Sequence, residues 1–183
     1  MRLGRVAGWM VALSLLCLQL NEGLATVFYS KDEAMELAFG AGAEVETVPV
    51  FLTDERVREV ERLAKVKVDS QLFSLYVGKR GGKIIGYAAI DTHVVRTQQE
   101  TLLVVLSPKG ELKRVEVLAF HEPPEYQSAG RWLEQLYRHP LAELHLNRNV
   151  DGIAGATLTS GAVLDGARKV LAIFQVALKE EQS

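Results

Sequence analysis

Cysteine is almost missing from this sequence. Among 183 residues only Cys17 is one, and it stands in the N-terminal leader, so neither a disulfide framework nor a cysteine metal cage is available. Positive charge is not concentrated either. Lys and Arg number 21 against 23 acidic residues, the formal charge is −2, and no cationic stripe runs through the chain, which excludes nucleic acid as an expected partner. The four histidines, His93, His121, His139 and His145, are scattered without metal-ligand spacing. No pair of acidic residues is placed for acid and base catalysis, no repeat recurs, and no low-complexity linker divides the chain. Neither a catalytic set nor a metal site is expected.

What is present is the composition of an ordinary globular protein, 48% hydrophobic and 24% charged. The length favours one domain with a modest N-terminal appendage. That appendage is residues 1–25. Arg2 and Arg5 precede an apolar run from Val6 to Leu20, and Gly23-Leu24-Ala25 offers small residues where a signal peptidase cuts. Export with cleavage is the expectation, leaving a domain over 26–183, periplasmic or otherwise extracytoplasmic. An uncleaved membrane anchor is the alternative, although the run is shorter than the span of about 20 apolar residues a bilayer needs. A lipid-modified Cys17 is disfavoured by Leu16. Loss of the leader removes Arg2, Arg5 and Glu22, so the charge moves from −2 to −3.

The mature part reads as helices, then a sheet, then helices. Ser30 caps a helix ending at Phe39, and Gly40-Ala41-Gly42 stops it. A short extended piece, Val48 to Leu52, leads to Thr53, which caps a second helix buried through Val57, Val60, Leu63 and Ala64. The period then changes from about four to two. Phe73, Leu75 and Val77 alternate, Lys79 to Gly82 turns, and Lys83 to Ile90 returns. Thr101 to Leu106 is a strand, Ser107 to Gly110 a turn, and Glu111 to Phe120 another strand. Consecutive strands joined by tight turns predict an antiparallel meander with packed helices, an α+β fold. His121 to Tyr126 is a proline-stiffened loop, and Ser128 to His139 a short helix with Trp132, Leu133, Leu136 and Tyr137 on one side. The last helix is expected from near Ser160, with Val163, Ala167, Val170, Leu171 and Phe174 on its buried face.

One stretch carries chemistry: Asp151-Gly152-Ile153-Ala154-Gly155-Ala156-Thr157-Leu158-Thr159-Ser160-Gly161. It runs directly into the start of the last helix, where unpaired N–H groups and the helix dipole favour a phosphate. Gly155 and Ala156 allow close approach to the backbone, and Thr157, Thr159 and Ser160 supply hydroxyls as donors, caps or a nucleophile. No lysine follows the glycines, so this is not a Walker loop. On physics alone, a set of helix caps accounts for the same residues.

The pattern Asp-x-x-[Ser/Thr]-Gly-Ala-Thr resembles the flavinylation motif of the FMN-binding domain family. That family includes the periplasmic flavin subunits of the Rnf and sodium-pumping NADH:quinone reductase complexes. Asp151, Gly155, Ala156 and Thr157 match, and Ala154 departs from the preferred hydroxyl residue. The resemblance implies FMN, taken from FAD by a flavin transferase and linked through its phosphate to Thr157. It implies that Asp151 helps the transferase recognise or activate the acceptor, that a redox protein in or near a membrane exchanges electrons with the flavin, and that the flavin sits at the start of the C-terminal helix. The loop Glu122 to Tyr126 partly resembles a family loop that meets the flavin ring. Tyr126 and Trp132 are candidates for stacking, Trp132 equally for the core, and Arg131 for neutralising phosphate or the reduced ring. His121 lies near that loop. The implied role is an electron carrier. A flavin-dependent reductase of a small acceptor and a flavin-free exported binding or assembly module are the alternatives.

Overall fold

Ser30 begins the first helix with a reciprocal cap: its hydroxyl accepts from the Glu33 N–H at 3.3 Å, while the Glu33 carboxylate accepts from the Ser30 N–H at 2.7 Å. In the computed structural model that helix, α1, spans Lys31–Phe39. The structure describes residues 26–179 apart from positions 28, 129 and 138, and the expected leader, residues 1–25, lies outside the described residues. Gly40 at φ 79° ends α1 in a backbone conformation that favours glycine. Thr53 caps α2, Asp54–Ala64, as its sequence suggests, accepting from the Arg56 N–H.

Six strands form one antiparallel sheet: β1 Thr26–Val27, β2 Glu44–Phe51, β3 Leu72–Arg80, β4 Lys83–Val94, β5 Gln99–Leu106 and β6 Leu112–Phe120. Their order is β1-β6-β5-β4-β3-β2. From β2 to β6 each strand pairs with the next in sequence, which is the expected meander, and the two-residue β1 adds to the far edge. The fold is α+β, as the switch of period from four to two predicts.

The sheet is covered on both faces. On one lie α2 and the last helix, α4, Thr157–Phe174, over Leu75, Val77, Tyr87, Ala89, Leu102, Val104 and Leu106. On the other lies α1, whose Ala34, Met35 and Phe39 pack on Tyr76, Ala88, Leu103 and Val105. Strand β5 contributes to both cores, so it reads as a continuous apolar run rather than an alternation. Gly78 makes room for Phe39: a Cβ there would overlap the phenyl ring.

Several boundaries differ from expectation: β2 begins at Glu44 rather than Val48, β4 runs on to Val94 rather than Ile90, and β5 begins at Gln99 rather than Thr101. The segment read as one helix over Ser128 to His139 is α3, only Gly130–Leu133, followed by a 3₁₀ turn over Glu134–Leu136. Short helices nucleate poorly, and burial of Trp132, Leu133 and Leu136 is satisfied by one turn of each kind. Helix α4 starts at Thr157 rather than near Ser160. The Ser160 hydroxyl caps nothing; from inside the first turn it donates to the carbonyls of Ala156 and Thr157 at 3.2 and 3.0 Å. Among the described residues no helix is long and apolar enough to cross a membrane.

Phe39 is the largest side chain that α1 buries on its face. Phe39→Ala should cost roughly 3–5 kcal/mol, the usual range for deleting a buried aromatic, read as a lower denaturation midpoint with an unchanged slope.

Candidate functional site

The stretch from Asp151 to Gly161 is a loop held from behind by the core. The Trp132 indole N–H donates to the Asp151 carbonyl at 2.6 Å, and the Asp151 N–H donates to Gln135 Oε1 at 3.1 Å. Trp132 is itself buried. Of its two readings the structure takes the core one, and its polar edge braces the loop instead of offering a face to a ligand. Upstream, Asn147 at φ 60° turns the chain, and its N–H donates to the Val150 carbonyl at 2.8 Å. Gly155 sits at φ 81°, with open space where a Cβ would stand. The turn calls for glycine there, and the residue borders a cleft. Ala156 points inward and is buried.

The helix that follows has no side-chain cap. Ala156 occupies the capping position with nothing to offer the first-turn N–H groups, which leaves donors and the positive end of the dipole open. Thr157 is exposed at this end, its hydroxyl donating weakly to the Ile153 carbonyl at 3.4 Å. Thr159 is 1% exposed, and its hydroxyl oxygen is buried without a partner among the described residues. An unpaired buried hydroxyl is costly, and this one borders a cleft.

Two clefts meet at Thr157 and Leu158. The smaller, about 310 Å³, is lined by Arg96, Tyr126 and the backbone turn from Gly155 to Thr159. The Arg96 guanidinium lies over the Tyr126 ring, 4.7 Å from its centroid. Glu122 does not face this cleft as the loop resemblance suggests. One of its carboxylate oxygens accepts from the N–H groups of Thr97, Gln98 and Arg96 at 2.7, 2.9 and 3.1 Å. Those bonds hold the carboxyl below its ordinary range and fix the β4–β5 turn that carries Arg96. Arg131 is exposed on α3 and lines neither cleft. The arginine on the smaller cleft is Arg96; its number is far from the motif, and only the meander brings the two together.

The larger cleft, about 380 Å³, has an apolar rim of Val66, Val94, Val95 and Leu158 and a charged wall of Asp91, His93, Asp165 and Lys169. Val94 and Leu158 are 59% and 61% exposed, unusual for large apolar side chains. His93 is clamped between carboxylates: Nδ1 lies 3.0 Å from Asp91 Oδ2, and Nε2 lies 3.1 Å from Glu100 Oε2. Lys169 pairs with Asp91 at 2.6 Å. Burial pulls the His93 pKa down, but the two carboxylates outweigh it and raise it to about 9. Burial works to raise Asp91 too, yet His93 and Lys169 hold it below its usual value. Burial pushes Glu100 and Asp165 up.

The sequence reading dispersed these residues. A signal was nonetheless present: Asp91 and His93 share parity in β4 with Tyr87 and Ala89, and Glu100 shares parity in β5 with Leu102 and Val104. Charged groups therefore occupy the last core-facing positions of two paired strands. Of the other histidines, His121 Nδ1 lies 3.1 Å from the Gln99 carbonyl, His139 lies by Glu143, and His145 by Arg168. Among the described residues no three His, Cys, Asp or Glu side chains are grouped to hold a metal.

A folded-state pKa raised from 6.5 to about 9 means that His93 contributes stability in full below about pH 6.5, and that this contribution is lost as pH rises through 9. The thermal unfolding midpoint should therefore fall between pH 6.5 and 9.5, and His93→Gln should flatten that fall. An equal fall in both proteins would place the titration elsewhere.

The residues present suit a phosphate-bearing planar ligand: an uncapped helix start, an exposed hydroxyl, an orphaned hydroxyl beside them, and an apolar rim. Residues 97–172 match the model of a family described as FMN-binding domain. No curated protein matches the chain. Among solved structures it is similar to NqrC of Shewanella oneidensis, with a TM-score of 0.54 at 16% identity over 78% of this chain and 86% of that one, a likeness that speaks for the fold. The matched segment runs from the β4–β5 turn into α4 and includes Thr157. The resemblance to the FMN-binding domain family holds over that segment, and it points to FMN as the cofactor.

Proposed function

We propose that this protein is an exported electron carrier in which FMN is linked by phosphoester to Thr157. The observation that carries the reading is the exposed Thr157 hydroxyl at the open, uncapped start of α4. There the helix dipole and free N–H groups favour the phosphate's negative charge, with Arg96 across the smaller cleft. Thr159 lends the hydroxyl that otherwise has no partner. In the linking step a flavin transferase brings FAD. The Thr157 oxygen forms a bond to the phosphorus of the FMN half, the pyrophosphate bond breaks, AMP leaves, and the hydroxyl proton is released.

The bound flavin supplies one- and two-electron chemistry. This chain's residues place and shield it. Val66, Val94, Val95 and Leu158 offer apolar contact in the larger cleft, and Tyr126 and Arg96 close the phosphate side. Asp151 is exposed, with its backbone tied to Trp132 and Gln135, which suits recognition by the transferase. Both clefts open to solvent, and that suits exchange with a redox partner protein at a membrane. Residues 1–25 are read as the export signal that brings the domain to that side.

Co-expression of the chain with a flavin transferase tests this. The expected result is a mass gain of one FMN that survives denaturation and disappears in Thr157→Ala. A gain that persists in the variant would move the acceptor elsewhere. Colour lost on denaturation would mean FMN held without a bond, and a colourless protein would favour a binding module without flavin.

A further inference from the structure

The charged wall of the larger cleft is more elaborate than holding α4 against the sheet requires. Asp91 and His93 from β4 and Asp165 and Lys169 from α4 converge there, with Lys67 and Asp69 also on its lining and Glu100 from β5 buried behind His93. Buried charges are costly unless paired, and the neighbouring core-facing positions of the same strands hold Tyr87, Ala89, Leu102 and Val104. Glu100 is the extreme case. It is 0% exposed; one oxygen meets His93 Nε2, and the other, Oε1, has no partner among the described residues. A carboxylate so placed keeps its charge through His93 alone. Thr157 and Leu158 border the same cleft.

We propose that Asp91, His93 and Glu100 form a proton-accepting site coupled to reduction of the flavin, with Glu100 taking the proton. The inference rests on the reading of Thr157 as the FMN carrier. Two electrons from a reductant and one proton from solvent go to the ring, which then bears one extra negative charge. That charge draws on the His93 imidazolium and weakens its hold on Glu100. Glu100, itself sealed from water, takes a second proton by way of His93, which lines the cleft: the imidazolium gives its Nε2 proton to the facing carboxylate oxygen and is reprotonated from solvent, while Lys169 stays paired with Asp91. Burial already pushes the Glu100 carboxyl up, and His93 is held charged to about 9, so an added negative charge nearby acts in the direction that favours a proton on Glu100.

The test uses the full chain loaded with FMN by a flavin transferase and reduced with dithionite. Between about pH 7 and the His93 value of about 9, the wild-type midpoint potential should fall with two protons per two electrons. In Glu100→Gln, which keeps an acceptor for His93, it should fall with one, half the slope. The reduced-minus-oxidised infrared spectrum should gain a protonated-carboxyl band in the wild type and lose it in the variant. Equal slopes, no band in the wild type, or a band that persists in the variant would overturn the proposal. If the variant does not fold, the wild-type spectrum decides. A chain that takes no FMN overturns the functional reading and this one with it. FMN loading with an unchanged slope removes only the proton site.

Discussion

Helix α4 reaches the sheet because residue 166 has no side chain. A Cβ on Gly166 would stand 2.9 Å from Asp91 Oδ2, 3.2 Å from Leu102 and 3.4 Å from His93, so the helix backbone lies directly on the ends of β4 and β5. A glycine inside a helix costs about 1 kcal/mol against alanine. Here the loss is offset by contact with a buried charge group and by the apolar face from Val163 to Phe174 that packs over the sheet. Thr157 is nine residues upstream, roughly 13 Å along the helix axis at 1.5 Å per residue. The same contact thus sets the position of the helix start and the floor of the cleft beside it.

The rest of the site is held from the inside outward. Trp132 and Gln135 tie down the Asp151 backbone, and Glu122 gathers the N–H groups of the β4–β5 turn. Neither Trp132 nor Glu122 presents its functional group to a cleft, yet each fixes an element that does. Loops braced in this way can be irregular and still hold their groups in place, which is what a cofactor site needs. The first turn of α4, by contrast, is left chemically unfinished. It has no cap, and beside it lie an orphaned hydroxyl and an exposed leucine, features that make sense together when a ligand completes them.

The larger cleft draws its two sides from different parts of the chain. Thr157 and Lys169, and Glu100 buried behind the wall, belong to the segment matched by the FMN-binding domain family, whereas Asp91 and His93 precede it. The charge group is therefore assembled across that boundary by one strand pairing, His93 opposite Glu100.

Local rules made much of this protein legible from its residues. The caps at Ser30 and Thr53, the change of period at Phe73, the turns at Gly81 and Gly110, and the hydroxyl-rich approach to the last helix all depend on neighbours a few positions apart. The meander followed, because tight turns leave a strand little choice but to pair with its predecessor. What depended on distant residues was not legible. Ser160 looked like a cap and proved to be inside the helix. Trp132 was divided between two roles until its indole met the Asp151 carbonyl. Arg96, His93 and Glu100 carried no local signature, since a side chain's partner across a sheet is set by register. Whether a charged group is buried is set by what packs above it, and here that was α4, far later in the chain.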